Sequence, residues 1–301
     1  MFVGSPFGPV DDPTLYHYTD GAGLLGILKS KSIWASGAVF LNDISEAIQA
    51  GRAIENYTQQ AELDERCKAL IEFGLGYAGF RGTFPVSHRH IDLFVAAFSR
   101  GPGNLHLWKS YAGGIGGSYA IGFRSSYLKA CGSALGFDLA PVKYEEPAQL
   151  ELLKPILHKY LATIEQVVPA ELNIESNYSQ AGLKQFSPEA QDAVKTFAED
   201  VRAVAPQCKD RIFEQEEETR MVLRTGENLN EVEFRASGSG IIPYVPIPLI
   251  DPEGNEFHIQ NVVVGPSPRA SDNAAIVFWA AAKYGVRVQQ VNNVGSSLRD
   301  W

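Results

Sequence analysis

The chain has 301 residues, 45% of them hydrophobic and 20% charged, the balance of a globular protein that builds its own core rather than of a disordered or fibrous one. Its 26 basic and 35 acidic residues leave a net charge of −9, which disfavours non-specific attraction to nucleic acid or anionic lipid and leaves open a local basic patch for a specific nucleic-acid target. No apolar run reaches the roughly 20 residues that span a bilayer, and the amino-terminal MFVGSPFGPVDDP lacks the basic start and apolar stretch of a secretory signal. Cys67, Cys131 and Cys208 are scattered, without CxxC spacing, and read as packing residues in a reducing compartment. A cytoplasmic protein with no membrane partner and no metal is expected.

Residues 1–13 carry three prolines and little periodicity, so they read as an arm. The fold proper begins with LYHYT (15–19), a short strand; Thr19 or Asp20 then caps a helix that places Leu24, Ile27 and Leu28 on one face. Extended apolar character returns over IWASGAVFL (33–41) and stops at Asn42-Asp43, and 44–75 reads as helix. DLFVAAFS (92–99) and SYAIGF (118–123) read as strands bracketing a loop and a short helix. The stretch 145–208 reads as almost wholly helical, its last helix starting at Ser187-Pro188-Glu189. Strands then dominate: ETRMVLR (218–224), a proline-broken segment near 241–250 that suits an edge, IQNVVVG (259–265), and VRVQQV (286–291) after a helix at about 271–284.

Strands at both ends of the chain, with helices between and beside them, lack the strict alternation of a doubly wound sheet. The expectation is an α+β fold with a mixed, mainly antiparallel sheet: one domain over 14–301, with a helical layer or insertion at about 145–208. No GxxxxGK[ST] or HExxH stands in the sequence, which leaves the corresponding P-loop and zinc-peptidase readings without support.

Four clusters could carry chemistry. The first is Tyr16-His17-Tyr18-Thr19, where a lone histidine also reads as a satisfied structural residue. The second is Asn42-Asp43 with Glu46, equally a turn and the first turn of a helix. The third runs from Phe98-Ser99 through Asn104 to Trp108-x-x-Tyr111 and the glycine-rich GGIGG (113–117). Trp108 and Tyr111, three apart, would share a helix face as an aromatic wall or as a core pair. The fourth is FEQEEETR (213–220). If that segment is extended, Glu216, Glu218 and Arg220 fall on one face and Glu217 and Thr219 on the other. Charge runs are usually solvated faces, yet carboxylates and an arginine at period two that enter an apolar strand suit an acidic site.

Taken in order, these clusters resemble a bacterial family catalogued as domain of unknown function 2971, which is similar to a branch of the ADP-ribosyltransferase superfamily. LYHYT with the following GLLGILKSKSIWAS, and Leu41-Asn42-Asp43-x-x-Glu46, resemble its opening. Phe98-Ser99, Asn104-Leu105, Trp108-x-x-Tyr111-Ala112 and AIGF (120–123) resemble its centre, and Phe213-x-x-Glu216-x-Glu218-x-Arg220 its acidic motif. VVVGP (262–266) and Ser296-x-Leu298-Arg299 resemble its end. Two positions depart from the pattern: Thr219 stands where an aromatic residue is common, and Arg100 where an acidic one is frequent.

The resemblance implies an ADP-ribosyltransferase-like fold that uses NAD as substrate and releases nicotinamide. By the same carry-over His17, with Tyr18 and Thr19 beside it, would hold the adenosine ribose, and Trp108 and Tyr111 would flank the nicotinamide. Ser99 would support the site, and Glu218 would act on the nicotinamide ribose. Glu216 would position the acceptor, and Arg220 would orient the acidic pair. The function so implied is transfer of ADP-ribose to a protein or nucleic-acid acceptor. The alternatives are an NAD glycohydrolase and a catalytically silent nucleotide-binding or interaction module. A role in toxicity or defence, with an antitoxin or immunity protein as partner, belongs to the same expectation.

Overall fold

The computed structural model describes residues 12–40, 45–80, 93–112, 116–175, 177–225, 230–237, 240–249 and 257–294. The expected arm (save residues 12 and 13), Asn42-Asp43 and the motif at 296–299 lie outside them. In chain order the elements are β1 (Thr14–Asp20), α1 (Gly21–Ser30), β2 (Ser32–Gly37), α2 (Ser45–Gln60), α3 (Glu65–Ala78), β3 (Leu93–Ser99), α4 (Leu105–Ala112), β4 (Ser118–Arg124), α5 (Ser125–Ser133), β5 (Asp138–Pro141), α6 (Glu146–Val167), α7 (Gln180–Leu183), α8 (Pro188–Val204), β6 (Glu218–Arg224), β7 (Glu233–Ser237), β8 (Gly240–Pro248), β9 (His258–Val264), α9 (Ala270–Lys283) and β10 (Arg287–Asn293). Two compact units result, one of residues 1–37, 94–141 and 214–301, the other of 38–93 and 142–213.

The first unit is α+β, with a mixed, mainly antiparallel sheet in the order β10-β9-β4-β1-β3-β2-β8-β7, and with β6 pairing β3 and β5. β1 and β4 run antiparallel over their full length, Thr14 opposite Arg124 through Asp20 opposite Ser118. β10 lies parallel to β9 after the α9 crossover. Aromatic and β-branched residues make β1 a strand, and Asp20 ends it by capping α1, its carboxylate accepting the Gly23 N–H at 2.7 Å. Leu24, Ile27 and Leu28 are buried, as the helical spacing requires. β8 is not at the edge that its prolines suggest: it pairs β2 on one side and β7 on the other. Each proline removes one ladder N–H but keeps its carbonyl, Pro248 is the last residue of the strand, and the five-residue β7 takes the outer place.

The second unit is helical and surrounds a core in which Leu70, Phe73, Leu153, Leu157, Tyr160 and Phe197 are buried. Tyr160 and Phe197 stack with centroids 4.2 Å apart. Gly74 makes room for them, because a side-chain carbon there would come within 2.7 Å of the Phe197 ring. The unit takes in α2 and α3 as well as the expected helical stretch, and that stretch is interrupted. Val168 leaves the helix at ψ 120 because Pro169 disfavours helical backbone in the residue before it, and helix resumes in the short α7 and then at α8. Ser187 caps α8, accepting the Ala190 N–H at 3.3 Å. The three cysteines are buried and none forms a disulfide.

Candidate acidic site on the sheet unit

Strand alternation divides β1 between two faces. Tyr16 and Tyr18 face α4 and pack with Trp108, Ala120 and Val263; His17 points the other way, its ring centroid 5.7 Å from that of Phe98. His17 Nδ1 lies 2.9 Å from the Ala97 carbonyl oxygen. A carbonyl only accepts, so Nδ1 carries the proton. Burial pushes the His17 pKa below its ordinary value and the Arg235 charge adds to that, against a smaller upward pull from the Ala97 bond. The ring is then neutral, with an acceptor lone pair on Nε2, and no partner meets that nitrogen among the described residues.

On the other face, the loop after β3 ties β1 to the acidic segment. The Tyr18 hydroxyl donates to Gly101 O at 2.9 Å and accepts the Asn104 N–H at 3.2 Å, and burial pushes the phenol pKa up. Asn104 caps α4, its Oδ1 accepting the Leu107 N–H at 3.2 Å, while its amide nitrogen donates to the Gln215 carbonyl. His106 Nε2 lies 3.3 Å from Glu216 Oε1, and the Arg100 N–H donates to Glu217 O at 3.2 Å. Residues far apart in sequence, β1, 99–108 and 214–220, therefore meet through polar contacts.

The acidic run is not one extended segment. A 3-10 turn covers Arg211–Glu216, Glu217 adopts a left-handed φ of 45, and the strand starts only at Glu218. Glu216 therefore does not share the strand face of Glu218 and Arg220, because the turn at Glu217 resets the register. Glu218 and Arg220 do share a face: Arg220 Nε and Nη2 approach Glu218 Oε2 at 2.7 and 2.6 Å, a charge-assisted contact. All three are buried, Glu216 at 6%, Glu218 at 9% and Arg220 at 2% exposure, while Glu217 is exposed.

The remaining candidates are placed as follows. Ser99 is buried, with Oγ 3.4 Å from Gly101 O. Thr19 is covered by the first turn of α1, where a side-chain carbon at Gly23 would fall 1.9 Å from its Oγ1. Trp108 is 2% exposed, donates its indole N–H to Pro102 O at 2.9 Å and meets Tyr18 edge-on at 4.8 Å, which leaves it no free ring face. It also lies on the opposite side of β1 from His17. Tyr111 belongs to α4, but its side chain, like that of Glu46 in α2, is outside the described residues.

A second cluster escaped sequence reasoning. Trp34 and Ser36 of β2, Tyr244 of β8 and Arg235 of β7 come together: Arg235 Nη2 lies 3.0 Å from Ser36 Oγ. The guanidinium sits 5.6 Å from the Trp34 centroid, and Trp34 lies 4.9 Å from Tyr244. Period-two spacing of Trp34 and Ser36 was the available signal, but the partner strand β7 was not legible.

Among the described residues, no group of three or more histidines, cysteines or carboxylates could hold a metal ion, and no helix is long and apolar enough to cross a membrane. No curated protein and no solved structure matches the chain at a significant level. Residues 107–221, from α4 into β6, are similar to the model of a family described as protein of unknown function (DUF2971).

Proposed function

We propose that this chain consumes NAD⁺ as an ADP-ribose donor, with Glu218 as the residue that acts on the reacting ribose and a protein or nucleic acid as acceptor. In that reaction the bond between the ribose C1′ and the nicotinamide nitrogen breaks. Its electron pair passes to the pyridine ring, which departs neutral and needs no general acid. The acceptor forms the new bond at C1′ and releases its proton to solvent. Positive charge builds on the ribose before the acceptor arrives, and a fixed carboxylate stabilises it as in glycoside cleavage.

The observation that carries this reading is the Glu218 carboxylate at the first residue of β6, held at 2.7 Å by Arg220 Nε. A preorganised anion of that kind does not have to reorient as charge develops. The neutral His17 ring, with Nε2 as acceptor, suits a ribose hydroxyl. Trp108 has no part in stacking on nicotinamide, because its faces are taken by the core.

Glu218→Gln keeps shape and removes charge, so NAD⁺ turnover should fall on the order of 100-fold or more while NAD⁺ binding changes little. Glu217→Gln, altering an exposed side chain, should leave turnover near that of the parent. Nicotinamide release measures both, and labelled NAD⁺ shows whether ADP-ribose reaches macromolecules or only water. Unchanged turnover in Glu218→Gln removes the assignment. The burial of Glu216 and Glu218 favours a second reading, in which the acidic cluster fastens the loop 99–108 to β6 in a silent binding module. In that case nicotinamide release is absent in the parent protein, and Glu218→Gln lowers the melting temperature instead.

A further inference from the structure

We infer that Arg235, Ser36, Trp34 and Tyr244 form a subsite for the phosphate groups of a nucleoside diphosphate, on the sheet face made by β2, β8 and β7. The register places these residues together. Ser36 stands opposite Tyr244, Tyr244 opposite Glu233, and Arg235 two residues beyond Glu233 on the same face. Trp34, two residues before Ser36, completes the row.

Arg235 is a cation whose only described polar contact is neutral, the bond from Nη2 to Ser36 Oγ at 3.0 Å. No carboxylate pairs with it among the described residues; Glu233 is on the same face but exposed and makes no ion pair with it. Its Nε is buried and meets no hydrogen-bond acceptor. Folded proteins seldom leave a buried charged donor without an acceptor, so the guanidinium carries donor capacity that its own surroundings do not meet. The side chain as a whole is only half-buried, and a planar guanidinium whose Nε turns outward offers two parallel N–H groups to the oxygens of a phosphate. Ser36 and the Trp34 ring, 5.6 Å from the guanidinium carbon, hold that plane in position. The two aromatic rings, with centroids 4.9 Å apart, supply an apolar border against which a nucleoside can lie.

The Arg235 charge also disfavours protonation of His17, so an anion bound at Arg235 would be felt at that imidazole. For the identity of the ligand as a dinucleotide this deepens the NAD⁺ reading and rests on it; the phosphate subsite itself stands on Arg235.

Calorimetric titration of the intact protein with ADP, inorganic pyrophosphate and adenosine tests the inference. ADP should bind at least tenfold more tightly than adenosine. Arg235→Gln should weaken ADP at least tenfold and leave adenosine unchanged, and Ser36→Ala, a milder change that keeps the fold, should weaken ADP a few-fold. Arg235→Lys should recover only part of the loss, since an ammonium lacks the two-pronged edge. Equal ADP affinity in parent and Arg235→Gln, ADP binding no tighter than adenosine, or pyrophosphate binding as tightly as ADP overturns the nucleoside diphosphate subsite. The two proposals fail separately. Arg235-dependent ADP binding without nicotinamide release defeats the NAD⁺ reaction alone, and Glu218-dependent nicotinamide release with ADP binding indifferent to Arg235 defeats the subsite alone.

Discussion

The proton on His17 connects a strand residue to the behaviour of the folded state with pH. Burial disfavours the imidazolium, and the Arg235 charge disfavours it further. The unfolded chain has neither penalty and takes up a proton near the ordinary histidine value of about 6.5. The folded pKa is the lower of the two, so the stability linked to this residue is fully present above about pH 6.5 and is lost as pH falls from there toward the folded value. Melting temperatures between pH 7.5 and 5 should therefore decline. In His17→Asn, whose amide N–H can still donate to the Ala97 carbonyl, the decline should be shallower; parallel profiles for the two proteins would show that His17 stays uncharged for no energetic reason. The sequence singled out His17 but could not give its proton position, because the Ala97 carbonyl that fixes it lies 80 residues away. Trp108 illustrates the opposite case. Spacing of three revealed a shared helix face with Tyr111, but what covers that face depends on Tyr18 and Val263, from two distant strands.

Elements were legible where their own residues decide them. Asp20 stops β1 and starts α1 with one carboxylate, so Asp20→Ala should cost about 1 kcal/mol, read as a lower urea midpoint at unchanged slope; no shift would mean that packing of Leu24 and Leu28 alone defines the start. Ser187 and the stretch ETRMVLR were readable for the same local reason. β5 and β7 were not: DLAP and EFRAS are short, charged or proline-ended, and become strands because β6 and β8 offer them ladders. The proline-rich β8 misled in the other direction, since a missing N–H is a local property and the number of neighbouring strands is not. The acidic run was legible in composition and not in register. The left-handed Glu217 is an arrangement that a glutamate accepts at a cost of about 1–2 kcal/mol, and no pattern of charges announces it.

At the scale of the molecule, the α+β class and mainly antiparallel sheet follow from the order of strand-like and helix-like stretches, whereas the partition into units does not. The chain passes between them near residues 37, 93, 141 and 213, without a linker composition to mark the crossings. Each unit has its own core, so Phe197→Ala, which empties the stacked position beside Tyr160, should cost about 3–5 kcal/mol. Hydrogen exchange should report it first as lost protection in α3, α6 and α8; equal loss in β1 and β4 would mean that the units unfold as one. The outer strand β7 has a further consequence for the protein as a material. Among the described residues it pairs only β8, and beside it Phe234 and Ile241 are 64% and 70% exposed, an apolar strip next to open backbone. What keeps such a border from templating fibrils is its brevity and its alternating charges, Glu233 and Arg235. The charge offered to a ligand thus also interrupts the apolar strip along this outer strand.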